Sequence, residues 1–78
     1  MQRYSFTIEV TGLDSGAPQF EDVFFRAGCD DALVAVIDGR ILLEFDREAP
    51  TYEVAIDSAS RDLERAGATV VGVSPLAN

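Results

Sequence analysis

The chain has 78 residues, 47% of them apolar and 26% charged, a composition that predicts one folded domain over residues 1–78 and excludes a disordered acidic tail. Its 14 acidic and 6 basic residues give a net charge of −8, which argues against direct binding to nucleic acid, because proteins that bind it are usually basic. The longest apolar run, residues 32–37, is too short to cross a membrane, and the single cysteine favours a cytoplasmic protein over a secreted one.

Residues 3–11 alternate apolar with polar side chains, which predicts a half-buried first strand. After a turn at residues 12–16, Pro18 is suited to the first position of a helix, where its missing N–H costs nothing. The apolar residues that follow recur at the spacing of one helical face: Phe20, Val23, Phe24 and Ala27. Gly28 is predicted to follow the end of this helix, because glycine adopts the left-handed conformation common there.

Asp38 and Gly39 stand between two apolar runs and predict a hairpin with a type I′ turn. A two-residue turn fixes how the second and third strands pair. On the side facing the core, the predicted pairs are Val36 with Ile41, Val34 with Leu43 and Ala32 with Phe45. On the other side, they are Ile37 with Arg40, Ala35 with Leu42 and Leu33 with Glu44.

The second helix is predicted to begin after Thr51, a favourable N-cap residue, and to end at Gly67. Its buried stripe consists of Tyr52, Ala55, Ile56, Ala59, Leu63 and Ala66. Residues 68–73 predict a last strand that Pro75 stops. The order β-α-β-β-α-β predicts an α+β ferredoxin-like sandwich, with two helices on one face of an antiparallel sheet of strand order 4-1-3-2.

The sheet face away from the helices is predicted to carry four contiguous apolar residues: Leu33, Ala35, Ile37 and Leu42. One interpretation is ordinary exposed apolar surface, and another is an interface with a second copy or a partner. A third is that residues 76–78 fold back over this face.

The predicted topology brings the loops at residues 29–31 and 46–48 to the same end of the sheet, beside Arg3. The carboxylates expected near this end are Asp30, Asp31, Asp46, Glu48 and Glu53, with Glu21, Asp22 and Asp57 on the helix faces as further candidates. Either Arg47 ties Asp30 or Asp31 into an ion-pair network, or the carboxylates form a surface that binds a basic partner. The spacing of a calcium loop is missing, so we expect no metal site.

The sequence contains no histidine and no lysine, which removes the commonest general bases and the amine nucleophile. The sequence has no histidine that could activate the Cys29 thiol as a nucleophile, and Cys29 is predicted to lie in the core. The glycines at positions 12 and 16 lack the lysine and the spacing of a phosphate-binding loop. We therefore expect neither an enzyme nor a cofactor.

Several short segments carry a resemblance to a known domain: residues 27–32 (AGCDDA), residues 45–51 (FDREAPT), Ala55, Ala59, residues 63–67 (LERAG) and Val70. With them the chain resembles a small bacterial domain that is often fused to a helix-turn-helix DNA-binding segment. The similarity covers most of residues 3–73. The chain ends at Asn78, where that segment would begin, so direct contact with DNA is not expected of it.

In size and charge the chain is also similar to small acidic phage-encoded inhibitors, including anti-CRISPR proteins, that block bacterial nucleic-acid-binding machinery. Two function classes follow. In the first, the protein is an inhibitor whose acidic surface occupies the basic nucleic-acid channel of a larger machine, as a DNA mimic does. In the second, it is a sensory or dimerisation domain of a bacterial regulator or antitoxin system. We expect the chain to be a monomer or a weak homodimer.

Overall fold

The computed structural model describes residues 1–75 and has the predicted order of elements. The strands are β1 (Gln2–Thr11), β2 (Ala32–Ile37), β3 (Arg40–Ala49) and β4 (Thr69–Pro75), and the helices are α1 (Phe20–Arg26) and α2 (Tyr52–Arg65). The four strands form one antiparallel sheet in the order β2-β3-β1-β4, which is the predicted order 4-1-3-2 viewed from the other edge. The α+β class and the strand order are therefore confirmed.

The β2–β3 hairpin has the predicted turn and register. Asp38 and Gly39 both have positive φ angles, 52° and 77°, as a type I′ turn requires. All six predicted cross-strand pairs are present, from Ile37 opposite Arg40 to Ala32 opposite Phe45. Because side chains alternate along a strand, this register decides which residues of the hairpin face the core.

The core lies between one sheet face and the two helices. Alternate residues of β1 and β3 are buried there, including Phe6, Ile8 and Leu43. Phe24 of α1 and three residues of α2 belong to the same buried cluster: Ala55, Ala59 and Leu63. We call the opposite, helix-free side the outer sheet face; it carries the odd-numbered residues of β1 and β2 and the even-numbered residues of β3.

Helix α1 begins later than the sequence predicts, at Phe20 instead of Pro18. The two residues before it form a turn that is closed by a 3.3 Å hydrogen bond from the Phe20 N–H to the Ala17 carbonyl. Gln19 lies within this turn in the left-handed conformation, with φ at 60°. Proline presets the backbone for such a turn as readily as for a helix, and here the turn is formed.

Both helices end as predicted, at a glycine. After α1, the N–H groups of Gly28 and Cys29 donate to the carbonyls of Phe25 and Phe24. After α2, the N–H groups of Gly67 and Ala68 donate in the same way to the carbonyls of Glu64 and Leu63. At the start of α2, the Thr51 hydroxyl accepts a 3.2 Å hydrogen bond from the Val54 N–H, which confirms the N-cap.

Two strands run further than predicted at their C-terminal ends. Strand β4 includes Pro75, which pairs with Phe6; proline is tolerated here because β4 is an edge strand and needs no second ladder partner. Strand β3 continues to Ala49, so residues 46–48 are strand and not loop. The predicted fold-back of residues 76–78 lies outside the described residues.

Candidate interaction surface

Arg47 faces the core side of β3 and is only 9% exposed. Its Nε and Nη2 donate to the two carboxylate oxygens of Asp31 over 2.7 and 2.9 Å. Nη2 also donates to the Gly28 carbonyl over 3.1 Å. Nη1 donates to Ser58 Oγ over 3.2 Å and lies 3.0 Å from Asp62 Oδ2. Every N–H of the guanidinium can therefore find an acceptor, which explains why a charged residue is tolerated at a core-facing position.

The predicted contact between Arg47 and the loop after α1 is thus confirmed, with Asp31 and not Asp30 as the partner. The loop is also held to β3 by a 3.1 Å hydrogen bond from the Asp46 N–H to the Asp31 carbonyl. Asp30 is exposed and forms no ion pair within residues 1–75. The half-buried carboxylate of Asp31 therefore serves the fold, and its neighbour Asp30 remains available to solvent.

Asp62 of α2 is a member of this network that the sequence analysis missed. It bridges Arg47 and Arg65, and Arg65 donates in addition to the Ala27 carbonyl. A Cβ atom at Gly28 would lie 3.2 Å from Asp62 Oδ2, so the absence of a side chain there lets α2 approach the end of α1. The sequence signal was the i,i+3 spacing of Asp62 and Arg65 on one helix, which is common on solvent-facing helices and does not indicate a buried network.

The network shifts the pKa values of two groups. The hydrogen bond from Arg47 to Asp31 raises the pKa of Arg47, and the charges of Asp31 and Asp62 add to this effect against the opposing effect of burial. Cys29 lies beside the network and is 1% exposed. Burial raises the pKa of its thiol from 9.0 to about 11, and the charge of Asp62 contributes in the same direction. The thiol is therefore protonated at neutral pH, as expected for a core cysteine.

Asp46 and Glu48 alternate with core residues along β3 and lie on the outer sheet face. Arg3 of the neighbouring β1 contacts both, at 3.1 and 3.4 Å. Further along the same face, Arg40 pairs with Glu9 at 2.5 Å, and this hydrogen bond lowers the pKa of Glu9. The predicted acidic end is consequently divided, because Asp31 faces the core side of the sheet and these carboxylates face the outer side.

The other predicted carboxylates belong to the two helices. Glu53 is exposed in the first turn of α2, and Glu21 and Asp22 occupy the first turn of α1, where a negative charge favours the helix dipole. Asp57 pairs with Arg61 one turn away, at 2.9 Å. These side chains lie on the helical layer and cannot share one flat surface with residues of the outer sheet face.

The outer sheet face carries the predicted apolar residues at its β2–β3 corner. Leu33 and Ile37 are 73% and 53% exposed, and Ala35 and Leu42 are half-buried. Within residues 1–75, no other segment covers this corner. The acidic residues of β3 continue on the same face, with Glu44 directly opposite Leu33. The apolar and acidic residues treated as separate surfaces in the sequence therefore adjoin in the structure.

A shallow open depression of about 540 Å³ lies between the C-terminal ends of the helices and is lined by Val23, Arg26, Ala27, Gly28, Arg65 and Ala66. Within residues 1–75, no group of three or more acidic, cysteine or histidine side chains is arranged to hold a metal ion. No helix in this part of the chain is both long and apolar enough to span a membrane.

Comparison of the chain with protein-family models, with curated proteins and with solved structures gave no significant match.

Proposed function

We propose that this protein is a non-enzymatic acidic binding module that occupies the basic nucleic-acid-binding surface of a larger protein or complex, as a DNA mimic of the anti-CRISPR or anti-restriction type does. One observation carries the proposal: within residues 1–75, every arginine except Arg26 is already paired with a carboxylate of the same chain. The carboxylates left without an ion pair are Asp14, Glu21, Asp22, Asp30, Asp38, Glu44, Glu53 and Glu64.

These unpaired carboxylates suit a partner rich in arginine and lysine. Carboxylates accept the same charge-assisted hydrogen bonds from these side chains that phosphates accept. A net charge of −8 on so small a domain also attracts a basic surface over a distance and speeds association. The same net charge lies at the upper end of the range, about 2–8, that keeps a small domain soluble.

We further infer that the fold is a ferredoxin-like sandwich, because the order of elements and the strand order both fit that topology. A nucleic-acid-handling partner and a single buried, protonated cysteine are both consistent with a cytoplasmic location, which we propose as well.

The test is capture of a basic partner followed by a charge-reversal comparison. The protein is immobilised, the heparin-binding fraction of a bacterial lysate is passed over it, and a retained protein is identified and purified. Association with that protein is then measured for the wild type, for Asp30→Lys and for the matched control Glu64→Lys. Asp31 is not used, because replacing it would unpair Arg47.

We expect binding to weaken steeply between about 0.05 and about 0.5 M salt and duplex DNA to compete for the partner. Asp30→Lys is expected to slow association several-fold more than Glu64→Lys does. Retention that is insensitive to salt, to DNA and to both substitutions would contradict the proposal.

The exposed apolar corner formed by Leu33 and Ile37 favours a second candidate, a dimerisation domain of a bacterial regulator or antitoxin system. Light scattering over a range of concentrations separates the two. A dimer that Ile37→Asp dissociates supports the second candidate, and a monomer at all concentrations supports the first.

A further inference from the structure

Strand β2 is an edge of the sheet that lacks the usual protection against further strand pairing. It bonds to β3 on one side, and no strand among residues 1–75 pairs with its other side. Its sequence is ALVAVI, without a charge, proline or glycine. Leu33, Val36 and Ile37 are 73%, 46% and 53% exposed. Natural edge strands usually carry charges, prolines or bulges, because a regular apolar edge invites another strand to bind.

The opposite edge of the same sheet has such protection. Strand β4 shifts register against β1 between Glu9 and Val10, which leaves Val71 without a paired position. It also contains Gly72 and ends at Pro75, which has no N–H to donate. The two edges therefore differ in kind, and β2 is the one suited to receive a strand.

The turn at the end of β2 determines which backbone groups of this edge are free. In a hairpin with a two-residue turn, the pair next to the turn exchanges both of its hydrogen bonds, and here that pair is Ile37 and Arg40. The bonded pairs then alternate along the strand, so Ile37, Ala35 and Leu33 bond to β3. The N–H and C=O groups of Val34 and Val36 consequently point away from β3 and are available to an added strand.

The charges around this edge are negative. Asp30 precedes β2, Asp38 follows it, and Glu44 lies opposite Leu33 on the outer sheet face; none of the three forms an ion pair within residues 1–75. If a second copy added its own β2 in antiparallel symmetry about Val34, whose backbone groups point outward, Asp30 of each copy would lie opposite Asp38 of the other. Like charges at opposed positions disfavour that pairing.

We propose that β2 binds an extended segment of a partner protein by strand addition, and that this segment has alternating apolar residues with lysine or arginine at both ends. Main-chain hydrogen bonds to Val34 and Val36 supply the pairing, the exposed side chains of Leu33 and Ile37 supply apolar contact, and Asp30 and Asp38 select the basic ends. The basic character of the partner rests on the function proposed above, whereas the free edge does not.

The test uses synthetic peptides of about ten residues, close to the length of one strand with its flanks. One peptide alternates valine and threonine and carries two lysines at each end; a second has glutamates in place of the lysines. Affinity is measured by fluorescence anisotropy, and backbone hydrogen exchange is measured with and without peptide. The variants are Val36→Pro, which removes one outward N–H without breaking the β3 ladder, and Asp30→Asn with Asp38→Asn.

A control variant, Glu21→Gln with Glu64→Gln, removes the same number of negative charges as the two asparagine substitutions, but from the helices and not from the ends of β2. We expect the lysine peptide to bind and to protect the amides of Val34 and Val36. Val36→Pro should weaken binding about tenfold. The two asparagine substitutions should weaken it several-fold and the control much less, and the glutamate peptide should not bind.

Lack of binding by the lysine peptide, or binding that Val36→Pro leaves unchanged, would overturn the proposal. So would a concentration-dependent dimer of the wild type that Val36→Pro dissociates, because a second copy would then occupy the edge. If the edge proposal fails while the captured basic partner still responds to salt and to Asp30→Lys, the acidic surface binds without β2. If the peptide binds and no basic partner is retained, the edge proposal holds and the proposed function fails.

Discussion

Among the arginines, Arg47 has the contacts whose removal should destabilise this domain most. Arg47→Ala leaves the carboxylate of Asp31 without its bidentate partner and deprives Asp62 of one of its two arginines. Removal of one member of a buried ion pair costs about 3–5 kcal/mol. Because the side chain of Asp31 is 29% exposed and Asp62 keeps Arg65, we expect a loss near the lower end of this range in the free energy of unfolding, measured by urea denaturation.

The matched control is Arg3→Ala, which breaks two exposed ion pairs on the outer sheet face. Exposed pairs contribute about 0–1 kcal/mol each, so this variant should remain close to the wild type. Arg47→Lys should be intermediate, because an ammonium keeps the charge and loses the planar fork that binds Asp31. Equal losses for Arg47→Ala and Arg3→Ala would show that the buried network does not stabilise the fold.

The raised pKa of Cys29 predicts how stability depends on alkaline pH. In the unfolded chain the thiol titrates near its ordinary value of 9.0, and in the folded protein burial moves the pKa to about 11. Between these values the unfolded state releases the proton and the folded state retains it. Stability is therefore expected to be fully present below about pH 9 and to fall as the pH rises towards 11.

Thermal unfolding of the wild type and of Cys29→Ala, followed across this pH range, measures the effect. The alanine variant removes the thiol, so its stability should decline less over the same range even if its starting value is lower. Alkylation by iodoacetamide at neutral pH should also be slow in the folded wild type, because the thiolate is the reactive form. If the stability of the two proteins declined in parallel with pH, the raised pKa of Cys29 would not be the cause of the loss.

The β2–β3 hairpin depends on the conformation of its turn, and two glycines allow this to be measured. A Cβ atom would meet nothing within 4 Å at either Gly39 or Gly72, but only Gly39 has a positive φ, of +77°. Left-handed backbone costs an L-residue about 1–2 kcal/mol. We expect Gly39→Ala to lower the free energy of unfolding by about that amount and Gly72→Ala to leave it nearly unchanged, with urea denaturation as the measurement. Similar effects for both would show that the turn geometry is not strained by a side chain.

Sequence was sufficient for the elements whose signals are local. The pair Asp38 and Gly39 determines turn type and register together, so all six cross-strand pairs followed from two residues. Thr51 and Gly67 likewise gave the two ends of α2, because helix capping depends on the residues at the helix ends. Pro18 was ambiguous, since one fixed φ angle suits both a turn and a helix start, and the turn is what forms.

The candidate surface was harder to predict because its residues meet only in three dimensions. The predicted strand order was enough to place Arg47 near the loop of Asp31, because it puts both at the same end of the sheet. Nothing local indicated that Asp46 and Glu48 continue a strand, because charged residues at the end of a strand look like the start of a loop. Asp62 could not be assigned either, since its role depends on how closely α2 approaches Gly28.

In the molecule as a whole, nearly all positive charges are held in ion pairs, whereas many carboxylates are unpaired. The arginines neutralise carboxylates within the core and across the outer sheet face. The carboxylates that remain are spread over the helices, the turns, the borders of β2 and, with Glu44, strand β3. Folding holds these like charges closer together than the unfolded chain does, so the excess opposes compaction and is not explained by stability.

This repulsion predicts that sodium chloride stabilises the folded protein. Raising salt from about 0.02 to about 0.3 M shortens the screening length below about 10 Å, which weakens repulsion between exposed carboxylates more than the buried pairs of Arg47. We expect a rise in Tm of several degrees, since about 1 kcal/mol corresponds to about 4–8 °C in a domain of this size. A variant with Glu53→Gln and Glu64→Gln has less repulsion to screen, so its Tm should start higher and respond less. A Tm that falls with salt would show that the exposed pairs of Arg3 and Arg40 outweigh the repulsion, and would contradict this account.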